Sequence, residues 1–181
     1  MNFKCLQTGM NILPMMQEVA ENFDDFHLHT YRQDNIACQK ETMSINLIKG
    51  VRYDDGVDFD NTQTVVETAL FEKYIKCREF LNWFTSTYGG QMGRVAIVYL
   101  GSENKVHPHI DGGEYYVGRD RFHMVLNGYY DFTVDKETQR FGAGELWYFN
   151  NQKTHHVVNA TPIVRICLIF DVKGSSFNDV D

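Results

Sequence analysis

The sequence predicts a mainly β protein of the α+β kind, a sandwich or small barrel of short strands with helices packed outside it. Three observations predict it. Seven or eight short apolar runs crowd into about 80 residues between Arg94 and Val172, separated by turn residues. Helical spacing, by contrast, is confined to the first 93 residues. Aromatic residues make up 14% of the chain, with 13 Phe and 10 Tyr, a composition that suits half-buried pleated surfaces.

The elements follow in order. After Pro14, the residues Met16, Val19, Ala20 and Phe23 recur at helical spacing and predict a short amphipathic helix. "TMSINLI" alternates, with Met43, Ile45 and Leu47 on one face, which predicts a half-buried strand. Between residues 64 and 88, Val66, Leu70, Tyr74, Cys77, Leu81 and Phe84 step by three or four, and Gly89-Gly90 closes the segment, so one long helix is expected there. "RVAIVYL" reads as a strand buried on both faces. The "HPHID" stretch, "RFHMVL", "YYDFTV", "ELWYF", "HHVV" and "IVRICLIFDV" then supply the remaining strands. Gly112-Gly113, Asn127-Gly128, Gly142 to Gly144 and Asn159 to Pro162 supply the turns.

No repeat, low-complexity segment or Gly/Ser linker interrupts the chain, so residues 1–181 are expected to form one domain. Within it, residues 1–93 form a helical support region with the first strand or strands, and residues 94–172 form the β core that carries the site. The formal net charge of -7 argues against a nucleic-acid partner, whose phosphates call for a basic face. Cys5, Cys38, Cys77 and Cys167 are widely spaced, without a CxxC pair, which points to reduced thiols and a cytoplasmic setting rather than a disulfide framework or zinc knuckle. No apolar run approaches the ~18 to 20 residues that span a bilayer, so no membrane partner is expected.

Two strands indicate where chemistry lies. In the last run, Val164, Ile166, Leu168, Phe170 and Val172 form one apolar face, leaving Arg165, Cys167, Ile169 and Asp171 on the other. Phe122, Met124 and Leu126 likewise oppose Arg121, His123 and Val125. The apolar faces suit packing against helices or a second sheet, and the mixed faces then line a cavity or a wet surface. A cation or imidazole turned into a cavity implies a partner there.

The chemistry-bearing residues cluster. Extended chain sends every second side chain to the same side, so His107, His109 and Asp111 could all converge on one spot. A further histidine, His155, follows 44 residues after Asp111. Two imidazoles and one carboxylate make the ligand set that suits Fe(II) and leaves coordination positions open. Arg165, ten residues beyond His155, offers a permanently charged fork matched to a carboxylate. By contrast Gly142 and Gly144 precede no helix and form no phosphate cradle. Trp147, Tyr148 and Phe149 read as core, and His156 as structural. His27 and His29 read as solvent-facing. The acidic "DDGVDFD", from Asp54 to Asp60, lacks the spaced ligands of a calcium loop and reads as a solvated loop that could cover the site.

"HPHID", "RFH", "GELWYFNN", "HHVVN" and "VRICLIFDV", taken together and in this order, resemble the aspartyl/asparaginyl β-hydroxylase family of iron and 2-oxoglutarate oxygenases, over roughly residues 94–172. The resemblance implies a double-stranded β-helix, the jelly-roll cupin barrel. It implies His109, Asp111 and His155 as iron ligands, placing the ligand after Pro108 and leaving His107 outside the set. It implies that Arg165 binds the distal carboxylate of 2-oxoglutarate and that His123 lies beside the cofactor's chelating end. Arg121 would reach a substrate carboxylate or the cofactor. The reaction implied is hydroxylation of a free amino acid, a peptide Asp or Asn side chain, or another small acid, with O2 consumed and succinate and CO2 released. Asp111 sets the chain closer to the bacterial members, because the animal members lack that carboxylate. Where the animal members place a serine near the distal carboxylate, this chain has Val98, and Tyr99 is the candidate substitute hydroxyl.

A germin-type cupin site is the rival pattern, with His107, His109, Glu114 and His155 holding a metal without 2-oxoglutarate. It lacks the expected Pro and Gly, since Asn150 and Gln152 stand there, and gives no role to Arg121, His123 or Arg165. A cupin that only binds, without a metal, is a third reading.

Overall fold

The computed structural model describes residues 1–51 and 62–178. The acidic stretch from Asp54 to Asp60, expected to form a loop, lies outside the described residues. Two antiparallel sheets face each other. The larger has seven strands in the order β1-β9-β6-β11-β4-β2-β3, and the smaller has four in the order β5-β10-β7-β8. The strands are β1 (Phe3–Gln7), β2 (Thr42–Gly50), β3 (Val65–Glu67), β4 (Gln91–Leu100), β5 (Lys105–His109), β6 (Arg119–Asn127), β7 (Tyr129–Val134), β8 (Glu137–Gly142), β9 (Leu146–Phe149), β10 (His155–Val158) and β11 (Arg165–Lys173). Among the described residues the sheets do not close into a continuous barrel. They form the sandwich of a jelly roll, the double-stranded β-helix arrangement.

Helices α1 (Leu13–Glu21), α2 (Tyr31–Asn35), α3 (Ala69–Lys73) and α4 (Ile75–Tyr88) accompany the sheets. The first of the two cores lies between the large sheet and α1, α3 and α4. There Ile166, Leu168, Phe170 and Val172 of β11 meet Phe80 and Phe84 of α4, and Phe84 lies 4.8 Å from Phe170 and 4.7 Å from Phe122, ring centre to ring centre. Each such ring stabilises the fold by about 1.5–3 kcal/mol when fully buried. The second core lies between the sheets and holds Val125, Tyr130, Phe132, Phe141, Phe149 and Cys167. The alternate faces of β6 and β11 are thus divided as the sequence predicts.

The expected long helix over residues 64–88 does not form as one piece. Val65–Glu67 is an edge strand paired with Ile48–Gly50 of β2. Thr68 then takes an extended conformation, and its hydroxyl accepts from the Leu70 amide, which starts α3 as an N-cap. Tyr74 breaks the helix again, at φ -91° and ψ 68°, and its buried hydroxyl donates to Asp25 Oδ2 at 3.1 Å. The apolar residues keep helical steps across both breaks, so periodicity alone cannot locate them. In α4 the stripe Cys77, Phe80, Leu81, Phe84 and Tyr88 is buried, and Gly89, at φ 68°, ends the helix.

The N-terminal region also contributes more strand than its helical signals suggest. Strand β1 pairs with β9 at one edge of the large sheet. Strand β2 is buried on both faces, with Thr42 and Ser44 covered as well as Ile45 and Leu47, rather than half-buried. Strand β4 begins at Gln91, ahead of Arg94.

Candidate active site

Strand pairing brings the two candidate imidazoles together. Strands β5 and β10 are antiparallel neighbours, and His109 and His155 are direct cross-strand partners. Their ring centres are 4.3 Å apart. Asp111 follows just beyond the end of β5, where its amide donates to the Asn151 carbonyl at 3.2 Å. One ligand atom from each of His109, Asp111 and His155 lies within 4.8 Å of the others, and this is the one such cluster among the described residues. The nearest carboxylate oxygens stand 3.8 Å from each histidine Nε2.

The tautomers follow from the partners. His109 Nδ1 lies 2.7 Å from the His107 carbonyl, and His155 Nδ1 lies 2.8 Å from the Lys153 carbonyl. A carbonyl oxygen can only accept, so both Nδ1 atoms carry a proton, which leaves the Nε2 atoms, facing Asp111, as the positions for a metal. Burial, opposed by the Asp111 charge, lowers the His155 pKa to about 4, so this imidazole is neutral near pH 7. Two imidazole nitrogens and one carboxylate, with both rings preoriented by backbone carbonyls, fit a divalent metal.

His107 and Glu114 do not join the cluster. The His107 side chain stands 3.4 Å from Glu41, and Glu114 is exposed in a short helical turn. Asn159, from the "HHVVN" motif, is buried and donates from Nδ2 to the carbonyls of Gly101 and Ile163, so it ties two loops together. His156 lies outside the site, and His27 and His29 are exposed, with His29 at the cavity mouth.

A cavity of about 680 Å³ runs between the sheets over this cluster. It is lined at the cluster by Val106, His123, Phe132, Phe149, Val157 and Arg165. Arg165 is 1% exposed, and neither its Nε nor its Nη2 meets a hydrogen-bond acceptor among the described residues. Its guanidinium lies 4.4 Å from the ring centre of Tyr130. A buried cation with unmet donors, facing a cavity, calls for an anionic ligand.

His123 is buried among Phe132, Phe141 and Phe149, with Nδ1 3.1 Å from the Tyr130 hydroxyl. Burial, and then the charges of Arg165 and Arg121, push its pKa well down, so it is a neutral group in the wall. Tyr99 does not reach this place. Its ring packs on Phe23 and Phe26 on the helical side of the large sheet, whereas Val98 faces the cavity. The hydroxyl acting on Arg165 belongs to Tyr130 instead.

Arg121 points inward as its strand face predicts, and the structure places two carboxylates on it. Its Nη1 donates to Asp111 Oδ2 at 2.7 Å, and its Nε and Nη2 donate to the two oxygens of Asp171 at 2.7 and 3.0 Å. Asp171 is the cross-strand partner of Arg121 between β11 and β6. Asp171 and Tyr130 are part of the site although no motif gives them a role. A carboxylate on the cation-bearing face of an otherwise apolar strand is the signal that could have found Asp171. Residues ahead of the main β core also line the outer cavity, among them Gln39, Asn46, Ile48 and Lys49, with Arg94 beside them.

The family model described as aspartyl/asparaginyl beta-hydroxylase matches residues 61–174. No curated protein matches the chain. Solved structures that resemble it do so at low identity. A conserved protein of unknown function from Streptococcus pyogenes is 19% identical, over 46% of this chain and 66% of that one, with a TM-score of 0.38. A predicted oxalate decarboxylase from Thermotoga maritima is 14% identical, over 53% of this chain and 73% of that one, at 0.39. A sugar phosphate isomerase from a cupin superfamily, from Silicibacter pomeroyi, is 15% identical, over 76% of this chain and 62% of that one, at 0.42.

Proposed function

The chain belongs to the aspartyl/asparaginyl β-hydroxylase family, and from that premise we propose that it is an Fe(II)- and 2-oxoglutarate-dependent dioxygenase that hydroxylates an amino acid or an Asp- or Asn-type side chain. The observation that carries the reading is Arg165, a buried guanidinium whose Nε and Nη2 are both unmet, facing the same cavity as the His109, Asp111 and His155 cluster. A metal alone would leave Arg165 unexplained, and a co-substrate dicarboxylate would not.

In this reading His109 Nε2, His155 Nε2 and an Asp111 oxygen hold the iron, and Arg165 binds the distal carboxylate of 2-oxoglutarate. Bound iron and 2-oxoglutarate supply the oxidation, in which the substrate C–H and O2 become C–OH while 2-oxoglutarate becomes succinate and CO2. The protein supplies position and dryness. Val106, Phe132, Phe149 and Val157 exclude water from the inner cavity. His123, neutral and hydrogen-bonded to Tyr130, adds no competing charge beside the metal. Arg94 and Lys49 give the outer cavity a positive lining that favours an acidic substrate group. Since His107 and Glu114 stand apart from the cluster, nothing in the geometry favours a germin-type site.

The test is anaerobic addition of Fe(II) and then 2-oxoglutarate, followed by visible absorption. A new charge-transfer band on the second addition is expected, followed by succinate release when O2 and candidate amino acids are supplied. No band, with iron bound, would refute the 2-oxoglutarate role.

A further inference from the structure

We propose that Asp171, steadied by Tyr115, is a positioning residue for the metal carboxylate Asp111, acting through Arg121. The inference rests on the metal-centre reading above and concerns residues that the reading does not itself use.

Three strands, the segment after β5 and a helical turn converge on this chain of contacts. Asp171 on β11 takes both Nε and Nη2 of Arg121 in a two-bonded fork, which fixes the plane of the guanidinium. The remaining arm, Nη1, then meets Asp111 Oδ2 at 2.7 Å, where it fixes the carboxylate's rotation and leaves Oδ1 on the side of His109 Nε2. Asp171 is held in turn. The Tyr115 hydroxyl donates to Asp171 Oδ2 at 3.1 Å and accepts from the Arg94 amide at 2.6 Å. The Tyr115 ring is itself clasped by two guanidinium groups, Arg94 at 3.8 Å and Arg119 at 4.2 Å from the ring centre. Gly93 makes room for this packing, since a Cβ there would stand 2.4 Å from the Tyr115 hydroxyl.

Charge reinforces geometry. Asp171 is almost wholly buried and Arg121 largely so, and their charges act on Asp111 with reduced screening. With Asp171 in place, the Arg121 charge is shared between two carboxylates, and Asp111 keeps more of its attraction for a divalent cation. Without it, Asp111 alone would balance the guanidinium 2.7 Å away, and its hold on a metal would weaken. A salt bridge that only held β6 to β11 would not need the third bond to Asp111.

The test is titration of the metal-free full-length chain with Co(II), read as a dissociation constant and as the visible spectrum of the bound ion. Partners of metal ligands alter affinity by about 10- to 100-fold when removed. Asp171→Asn is expected to weaken Co(II) binding within that range and to shift the bands, and Tyr115→Phe to do the same more weakly. Folded Asp171→Asn with wild-type affinity and spectrum would overturn the proposal. If Asp171→Asn does not fold, Tyr115→Phe decides, and an unchanged constant and spectrum overturn it equally. Failure of the wild-type chain to bind Co(II) would instead refute the metal-centre reading itself.

Discussion

Replacing Arg165 by methionine separates an anion anchor from a structural arginine, because the two roles predict opposite signs. The guanidinium is buried, and its Nε and Nη2 donors are unmet. A hydrogen bond to a charged partner contributes about 1.5–3 kcal/mol, so two such bonds to a carboxylate amount to about 3–6 kcal/mol. Loss of both corresponds to weaker 2-oxoglutarate binding by roughly a hundredfold to ten-thousandfold. The ligand-free fold should respond the other way. Exchanging a buried, uncompensated charge for an apolar side chain of similar size is commonly neutral or stabilising, by up to about 4 kcal/mol. The lost stacking on Tyr130 offsets about 0.5–2 kcal/mol of that. Calorimetric titration of 2-oxoglutarate into the Mn(II)-loaded chain, beside thermal unfolding of the metal-free chain, measures both. Wild-type affinity in Arg165→Met, or a marked fall in melting temperature with affinity retained, would refute the reasoning.

Asp111→Ala should abolish Fe(II) binding or turnover while Glu114→Ala and His107→Ala spare both, because of the three only Asp111 lies in the cluster; a metal titration and turnover assay with the reverse outcome would point to the germin-type set. The second prediction concerns acid. His155 has a folded pKa of about 4 against an ordinary value of 6.5, so between those limits the unfolded chain binds the proton that the fold refuses. Stability of the metal-free protein is therefore intact above about pH 6.5 and falls as the pH drops toward 4, by about 3 kcal/mol from this group. Denaturant midpoints of wild type and His155→Gln across pH 4–7 check it, and a constant difference between them contradicts it.

Much of the site was legible because it is written in period two. The alternation of Arg121, His123 and Val125 against Phe122, Met124 and Leu126 fixes which side chains face the second sheet, and the same holds for Arg165, Ile169 and Asp171. Short-range rules of this kind need no knowledge of the fold. The jelly roll was legible for a related reason, since turn residues cut the chain into pieces too short for anything but strands. The helix breaks at Thr68 and Tyr74 were not legible, because Leu70, Tyr74, Cys77 and Leu81 keep helical spacing on both sides. What decides there is tertiary, namely the pairing of Val65–Glu67 with β2 and the bond from Tyr74 to Asp25. Strand β1 was hidden similarly, as Phe3 packs against the inter-sheet core only once β9 lies beside β1. Tyr130 could not be chosen over Tyr99 without knowing which side of each strand meets the helices.

The buried charges give a reason for the whole arrangement. Asp111 and Asp171 carry two negative charges at the inner cavity, and Arg121 and Arg165 carry two positive ones, so the protein alone is neutral there. Under the proposed function a divalent iron and a dianionic 2-oxoglutarate add equal and opposite charges and preserve that neutrality. Either one alone would leave two uncompensated charges in a water-poor cavity, which burial penalises steeply. Arg165 can therefore stay buried without a protein carboxylate of its own, because its counter-ion arrives with the co-substrate, whereas Arg121 needs Asp171 because its charge must be balanced before any ligand binds.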